Sequence, residues 1–507
     1  MKKYPLYSEH MKEKEKNGPV DRALFELIPA EVIRELRAFI CERGESEITV
    51  AAVSPENSLC AEYLKKNFTE KVTWLHLPQK EFSAIMNDSV VDFKKEISRL
   101  LITETETNGN VALLVEYIIR YALLEKASDI HVEPGRTETS VRFRKDGMLH
   151  YVFTFPKKLH SAVIARFKIL ANAKIDEYRR PQDGRIEIAD IPDVSFRVSF
   201  IPTLHGEKIA LRILDDSGQA LSLNDLGFSK TQEKILLENI EKPFGMIITS
   251  GPTGSGKTTT LYALLQTLKN DSINISTLED PVEFSLAGVN QMQINPRLDI
   301  SFAAGLRAFL RQDPDVIMVG EIRDTETMEM SANAAMTGHM VLTTIHTNDA
   351  PSAFVRFLEM GVDDFVLTSI VNLIIAQRLV RRICDKCAKN ISLDKAIYEK
   401  IHTRRDITDA LFESGIGVIS ELADRKFRKG TGCDACMHTG YKGRMGIYEL
   451  LLPTKEVREL ILKHASAEEI RKAAKKEGFE DMVTDGIKKA LNGQTTIEEI
   501  LRVTRAV

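Results

Sequence analysis

Apolar residues recur along this chain with two different periods, and the changes between them divide it into modules. From Val20 to about Asp88, helical spacing over Glu31–Cys41 and Ser58–Asn67 alternates with strand-like runs at Ile48–Val53 and Val72–Leu77, which predicts a small α/β module spanning 20–92. Its stripe Leu24, Leu27 and Ile28 reads as core packing, with a partner contact as the alternative. The lysine- and glutamate-rich residues 1–19 predict a mobile N-terminus, and the polar stretch 93–110 a linker. A helix over Val111–Ala127 opens a second module, 111–215. There the alternation Val141 to Met148 is broken by Asp146-Gly147, a hairpin signal. Strands at Arg185–Ile188, Phe196–Ile201 and Ile209–Leu214 surround a helix over Leu159–Ala173. Residues 216–227 read as a hinge. Four apolar runs follow within 228–383, at Gly245–Ser250, Ile273–Leu278, Val316–Gly320 and Met340–Ile345, as in a buried, mostly parallel sheet with helices on both faces. An excursion at 384–436 and a helical region at 437–507 complete an α/β chain.

With 507 residues, 43% hydrophobic and 28% charged, the chain has enough material for several cores. A net charge of −4 gives no global attraction to nucleic acid. Met1-Lys2-Lys3 is followed by no apolar core of a signal peptide, and the most apolar window, Val111–Leu124, is interrupted by Glu116 and Arg120. A cytosolic chain without a transmembrane span is expected, reaching membranes only through partners.

Chemistry gathers where the apolar runs end. Gly251-Pro252-Thr253-Gly254-Ser255-Gly256-Lys257-Thr258 is a complete phosphate loop between a strand and a helix marked by Leu261, Leu264, Leu265 and Leu268, with Thr259 continuing the helix start. Glycines admit backbone N–H groups to the phosphates, Lys257 supplies a point charge, and the Thr258 hydroxyl suits magnesium. The next run delivers Glu279-Asp280-Pro281-Val282-Glu283, in which either Glu279 or Glu283 suits orienting water and Asp280 suits capping the segment that Pro281 begins. Glu321 ends the third run, where a carboxylate holds magnesium or its water. His339 and His346 flank the fourth at an odd spacing of seven, which puts them on opposite faces of an unbroken strand, so only one faces nucleotide.

Of six cysteines, Cys384/Cys387 and Cys433/Cys436 form two C-x-x-C pairs, the thiolate set of a closed tetrahedral zinc site. A redox pair or two disulfides are the alternatives, both disfavoured in a cytosolic setting. The zinc would staple an excursion, Leu393 to Phe427, expected to have little core of its own. Cys41 and Cys60 read as buried thiols.

From about Val111 onward the chain resembles the type II secretion and type IV pilus assembly ATPases, the GspE/PulE family. The resemblance rests on Ser128-Asp129-Ile130-His131-Val132-Glu133-Pro134, Pro181-Gln182-Asp183-Gly184-Arg185, the phosphate loop, Glu279 to Glu283, Leu310 to Asp315, Gly320 to Asp324, Thr337-Gly338-His339 through His346, and both cysteine pairs. It implies a RecA-like ATPase core preceded by a PAS-like α/β domain, with ATP, Mg2+ and Zn2+ as ligands. It also implies a cytoplasmic homo-hexamer that drives pilin or pseudopilin subunits through an inner-membrane platform protein and docks a cytoplasmic domain of a membrane-complex component. Arg197 and Arg212 match the family's arginines that close on the phosphates; taken alone, they read as a solvated strand face. The R-L-G-x-x-L-type opening of many relatives has no counterpart here, and Val20–Asp88 resembles only the later part of their N-terminal module, so the resemblance does not carry a cyclic-dinucleotide site over to this chain. Two other functions are carried alongside. A pilus retraction motor is disfavoured because those relatives lack the four cysteines, and a nucleic-acid translocase because the run Lys426, Arg428 and Lys429, with the single aromatic Phe427 among them, falls short of a stacking platform and reads as a solvated face.

Overall fold

In a computed structural model of the protein, the described residues are 36–44, 46–55, 58–78, 108–188, 191, 194–215, 222–417 and 421–504, with positions 24, 82, 97 and 101 besides. Residues 1–19, Leu27 and Ile28 of the N-terminal stripe, most of 93–110, and residues 216–221 lie outside them. The chain divides into two compact units, one ending at Asp215 and the other beginning at Asp216. Among the described residues, no helix is long and apolar enough to cross a membrane.

The first unit opens with β1 (Ala38–Arg43), β2 (Glu47–Ala52) and β3 (Lys71–His76), in the order β1-β2-β3. The β1 and β2 strands are antiparallel, while β2 and β3 are parallel and joined through the helix Ser58–Asn67. The helical periodicity read over Glu31–Cys41 therefore fails from Ala38 onward. Arg37 sits at φ 49, which ends any right-handed helix, and the run Ala38–Cys41 is buried at every position, a pattern that period alone cannot assign.

Six antiparallel strands follow in the order β6-β5-β4-β9-β8-β7: β4 (Asp129–Pro134), β5 (Glu138–Lys145), β6 (Met148–Pro156), β7 (Gln182–Glu187), β8 (Val194–Thr203) and β9 (Gly206–Asp215). Asp146 and Gly147 both take positive φ, 50 and 82, and so make the turn that joins β5 to β6. One sheet face packs Ile130, Val132, Val141, Phe143, Phe196, Val198 and Phe200 against the helices Asn108–Leu124 and His160–Leu170. Within the stretch read as a linker, Ile97 and Leu101 are packed into this same core.

In the second unit, seven strands run β12-β11-β13-β14-β10-β15-β18. They are β10 (Gly245–Ser250), β11 (Ile275–Glu279), β12 (Asn290–Gln293), β13 (Val316–Val319), β14 (Met340–Ile345), β15 (Val371–Ile383) and β18 (Tyr441–Leu451). All neighbours are parallel except β15 and β18. Residues 441–451 thus form a sheet strand, where a helical region was expected; helices resume only at Lys455–Leu462 and continue to Val503. Between β15 and β18, β16 (Ala388–Ser392) pairs with β17 (Lys426–Gly430). The expectation that this excursion has little core is corrected too. Ile401, Ile407, Leu411, Ile416, Leu422 and Phe427 belong to the same apolar cluster as Ile317, Val341 and Ile374 of the central sheet.

Candidate functional site

β10 is buried along its whole length between β14 and β15, so its exit point is rigid. The chain leaves it at Gly251 and enters the helix Lys257–Leu268 through Gly256, at φ 89, a left-handed conformation that favours glycine. A Cβ on Gly251 would lie 2.5 Å from the Gln377 carbonyl oxygen and 2.6 Å from Ser255 Oγ, so nothing larger fits. Lys257 curls back over the loop, its Nζ donating to the carbonyls of Gly251 (2.8 Å) and Pro252 (3.3 Å). Burial pulls this ammonium below the usual lysine range, and the Glu321 carboxylate opposes that shift. Pro252, Thr253 and Gly254 are exposed, Thr258 and Thr259 are half-buried in the first helical turn, and the buried Ser255 Oγ has no hydrogen-bond partner. A ring of backbone at a helix N-terminus, a cation and a spare hydroxyl donor fit a nucleotide's phosphates.

The neighbouring strand ends converge on this loop. Gly320 N donates to Leu278 O (2.7 Å), and Thr344 Oγ1 donates to Gly320 O (2.8 Å), which fixes the chain just before Glu321. Glu321 Oε1 then meets Arg323 Nη2 at 2.5 Å, and its Oε2 lies 3.6 Å from His346 Nε2. Burial lowers the His346 pKa, as does the Lys257 charge, leaving a neutral imidazole against the pull of Glu321. Ser250 Oγ donates to Thr347 O (3.0 Å), tying the segment after β14 to the strand that carries the loop. His339 is elsewhere: it precedes β14, at the opposite end of the strand from His346, and its Nδ1 lies 2.9 Å from Ala334 O.

The two carboxylates after β11 separate clearly. Glu279 is 2% exposed and fully engaged, by the Tyr262 phenol, by Thr277 Oγ1 (2.6 Å) and by Gln291 Nε2 (3.1 Å). Glu283 is exposed, in an irregular segment after the strand. No helix begins at Pro281, so the capping role read for Asp280 is not realised. The helix caps that form here are Asp324, accepting from Thr327 N, and Asp349, accepting from Ser352 N.

In the first unit, Arg197 on β8 and Arg212 on β9 stand directly opposite one another. The row extends to Arg185 on β7, Asp129 on β4 and Arg144 on β5, all on the sheet face away from the helices. Asp129 partly neutralises it, 3.2 Å from Arg212 Nε and 3.4 Å from Arg144 Nε, while the Arg212 side chain remains 68% exposed.

The four cysteine sulfurs lie within 4.8 Å of one another. Cys384–Cys433 and Cys387–Cys436 are 3.9 Å apart and Cys433–Cys436 3.8 Å. A tetrahedral site with Zn–S bonds of about 2.3 Å requires S···S separations of about 3.8 Å, so the donor set fits zinc. Cys433 N and Gly440 N donate to Cys436 Sγ at 3.2 and 3.3 Å. Although burial opposes it, this pulls the thiol down to about 6, toward the thiolate that a metal takes.

One residue that the motif reading passed over is built into the loop. Gln377 of β15 donates from Nε2 to Ser255 O and accepts from Thr260 Oγ1, both at 2.8 Å. Its only trace in the sequence is a polar side chain at the end of the apolar run Leu373–Ala376, just before Arg378.

A parallel sheet with a phosphate loop at its carboxyl edge, acids and a histidine on adjacent strands, and RecA-like neighbours define a P-loop nucleotide-binding protein. Residues 104–502 match the family described as Type II/IV secretion system protein, and the chain belongs to it. The chain is 45% identical over 397 residues to the type IV pilus assembly ATPase PilB of Pseudomonas aeruginosa, covering 78% of this chain and 68% of that protein. It is 42% identical over 403 residues to type II secretion system protein E of the same organism, covering 79% and 77%. Among solved structures it resembles the pilus retraction motor PilT with bound ADP at a TM-score of 0.51 and 25% identity, covering 78% of this chain and 97% of that one.

Proposed function

We propose that this chain is a cytoplasmic ATPase motor that hydrolyses ATP to power assembly of a type IV pilus or a type II secretion pseudopilus at the inner membrane. The observation that carries the reading is a complete phosphate loop with Lys257, Glu321 and His346 brought together in a chain that matches assembly ATPases over most of its length. Assembly is favoured over retraction by identity, 45% against 25%, and by the four-cysteine cluster.

In this mechanism the loop amides and Lys257 bind and orient the phosphates. Thr258 and Glu321 would hold magnesium, which supplies neutralisation of charge on the phosphate oxygens. The exposed Glu283 orients the attacking water, and Glu279 supports β11 from the interior. His346, kept neutral by burial, is assigned to donate a hydrogen bond to the phosphates, whereas His339, at the far strand end, is assigned no chemical role. Arg197 and Arg212 are assigned to phosphoryl charge in an assembled homo-hexamer. Cys384, Cys387, Cys433 and Cys436 would hold zinc, a structural clasp without an open position. An inner-membrane platform protein and a cytoplasmic domain of a membrane-complex component are the proposed partners.

The test is Lys257→Ala. It should abolish ATP binding, measured by titration with a fluorescent nucleotide, together with turnover. Near-normal hydrolysis in that variant would overturn the reading.

A further inference from the structure

Gln377 is 1% exposed and occupies the middle of β15, the neighbour of β10 on the side away from β14. A buried primary amide must find partners for its donors and acceptor, and both of its bonds go to the phosphate-loop segment: Nε2 to Ser255 O and Oε1 from Thr260 Oγ1. The residue also backs the loop sterically at two points. Its carbonyl oxygen occupies the space beside Gly251, and its Nε2 lies 3.2 Å from where a Cβ on Gly256 would stand.

The bond to Ser255 O has a directional consequence. A trans peptide is planar, with its carbonyl and the following N–H pointing opposite ways. Holding Ser255 O against Gln377 turns the Gly256 N–H away from β15, toward the mouth of the loop where phosphate oxygens are received. The Ser255 carbonyl can only accept, so it draws Nε2 and not Oε1 toward itself, and Thr260, one turn into the helix, donates to the Oε1 left on the other side and anchors the amide there. Among the described residues, no other side chain donates to the Ser255 carbonyl.

We infer that Gln377 is a positioning residue for nucleotide binding: with Thr260 it aims the Ser255–Gly256 peptide so that the loop is set for phosphate before ligand arrives. The inference rests on the reading of Gly251–Thr258 as the nucleotide site.

The experiment is nucleotide titration and steady-state ATP turnover on the full chain, comparing Gln377→Leu, Thr260→Val and Thr260→Ser. One lost hydrogen bond that preorganises binding corresponds to roughly a tenfold loss of affinity. Gln377→Leu and Thr260→Val should weaken ADP and ATP alike by about that factor, raising KM with kcat changed by less than about threefold. Thr260→Ser keeps the hydroxyl and should restore affinity to within about twofold. If Gln377→Leu does not fold, the Thr260 pair decides, because valine is nearly isosteric with threonine. Wild-type affinity in folded Thr260→Val, or equal loss in Thr260→Ser and Thr260→Val, would overturn the inference. Retained binding in Lys257→Ala would instead remove the reading beneath it, so the two failures are distinguishable.

Discussion

At the scale of single residues, two carboxylates four positions apart have been given opposite environments. Glu279 is surrounded by donors, and the pressure falls on its partner: burial, then the hydrogen bond to Glu279, raise the Tyr262 phenol well above the ordinary tyrosine range. An amide at 279 cannot accept from all three donors without turning an N–H toward one of them. Glu279→Gln should therefore cost stability, on the order of 1–3 kcal/mol, seen as a lower melting temperature. Glu283→Gln touches an exposed side chain and should lower melting less than Glu279→Gln does, while lowering kcat by about 100-fold or more with nucleotide affinity retained. Single-turnover hydrolysis beside thermal melts separates the two variants. A kinetic loss confined to Glu279→Gln would reverse the assignment. Sequence held the phosphate loop and Glu321 in plain view because glycine spacing and an acid after four apolar residues are local signals. It left Glu279 and Glu283 equivalent, since burial and the reach of Tyr262 and Gln291 are tertiary facts. It hid Gln377 altogether, a lone glutamine whose partners lie 117 and 122 positions away.

Among the elements, those that were legible are the ones whose burial is uniform. β10, β13 and β14 are buried at every position and read as continuous apolar runs. β15 and β18 were not legible, because each is apolar over one half and charged over the other: Arg378, Arg381 and Arg382 on β15, Lys442 and Arg444 on β18. Those charged ends carry the cysteine module, and Ile383 and Cys384 bond to Gln494 and Gly440 through their backbone N–H groups. The module is thus bracketed by an antiparallel ladder on one side and by the antiparallel pair β16–β17 on the other. A zinc ion held by the four cysteines should act on local order more than on the phosphate loop. Cys433→Ser, or treatment of the wild-type protein with a zinc chelator, should release zinc and speed amide exchange across 384–440, with ATP affinity within about twofold of wild type. Elemental analysis and hydrogen exchange read both quantities, and wild-type protein purified without zinc would refute the assignment.

For the whole molecule, acid should dismantle the two units in a definite order. In the first unit the buried His160 ring bonds Thr139 through Nδ1, and burial first, then the Lys157 charge, push its pKa down to about 4. An unfolded histidine takes its proton near 6.5, so below that pH the unfolded state binds more protons and stability falls as pH drops from about 6.5 to about 4. Full expression of that shift is on the order of 3 kcal/mol. His131, also depressed by burial and by Lys208, adds the same sign in the same unit. In the second unit Glu499 is held at about 2 by Arg502 and Arg381 despite its burial, so its contribution is intact above the ordinary glutamate range and is lost only as pH falls toward about 2. Glu449 and Asp485, raised by burial, take up protons more readily when folded and so gain stability on acidification. The half-exposed His346 opposes them weakly. Between pH 6.5 and 4, then, the unit ending at Asp215 should lose stability, on the order of 3 kcal/mol from His160, while the unit carrying the phosphate loop is affected less. Hydrogen exchange on the full chain, stepped from pH 7 to pH 4, should show protection failing first in the helix His160–Leu170 and its sheet and later in β10, β14 and β15. The reverse order would mean that the buried histidines do not set the acid limit of this protein.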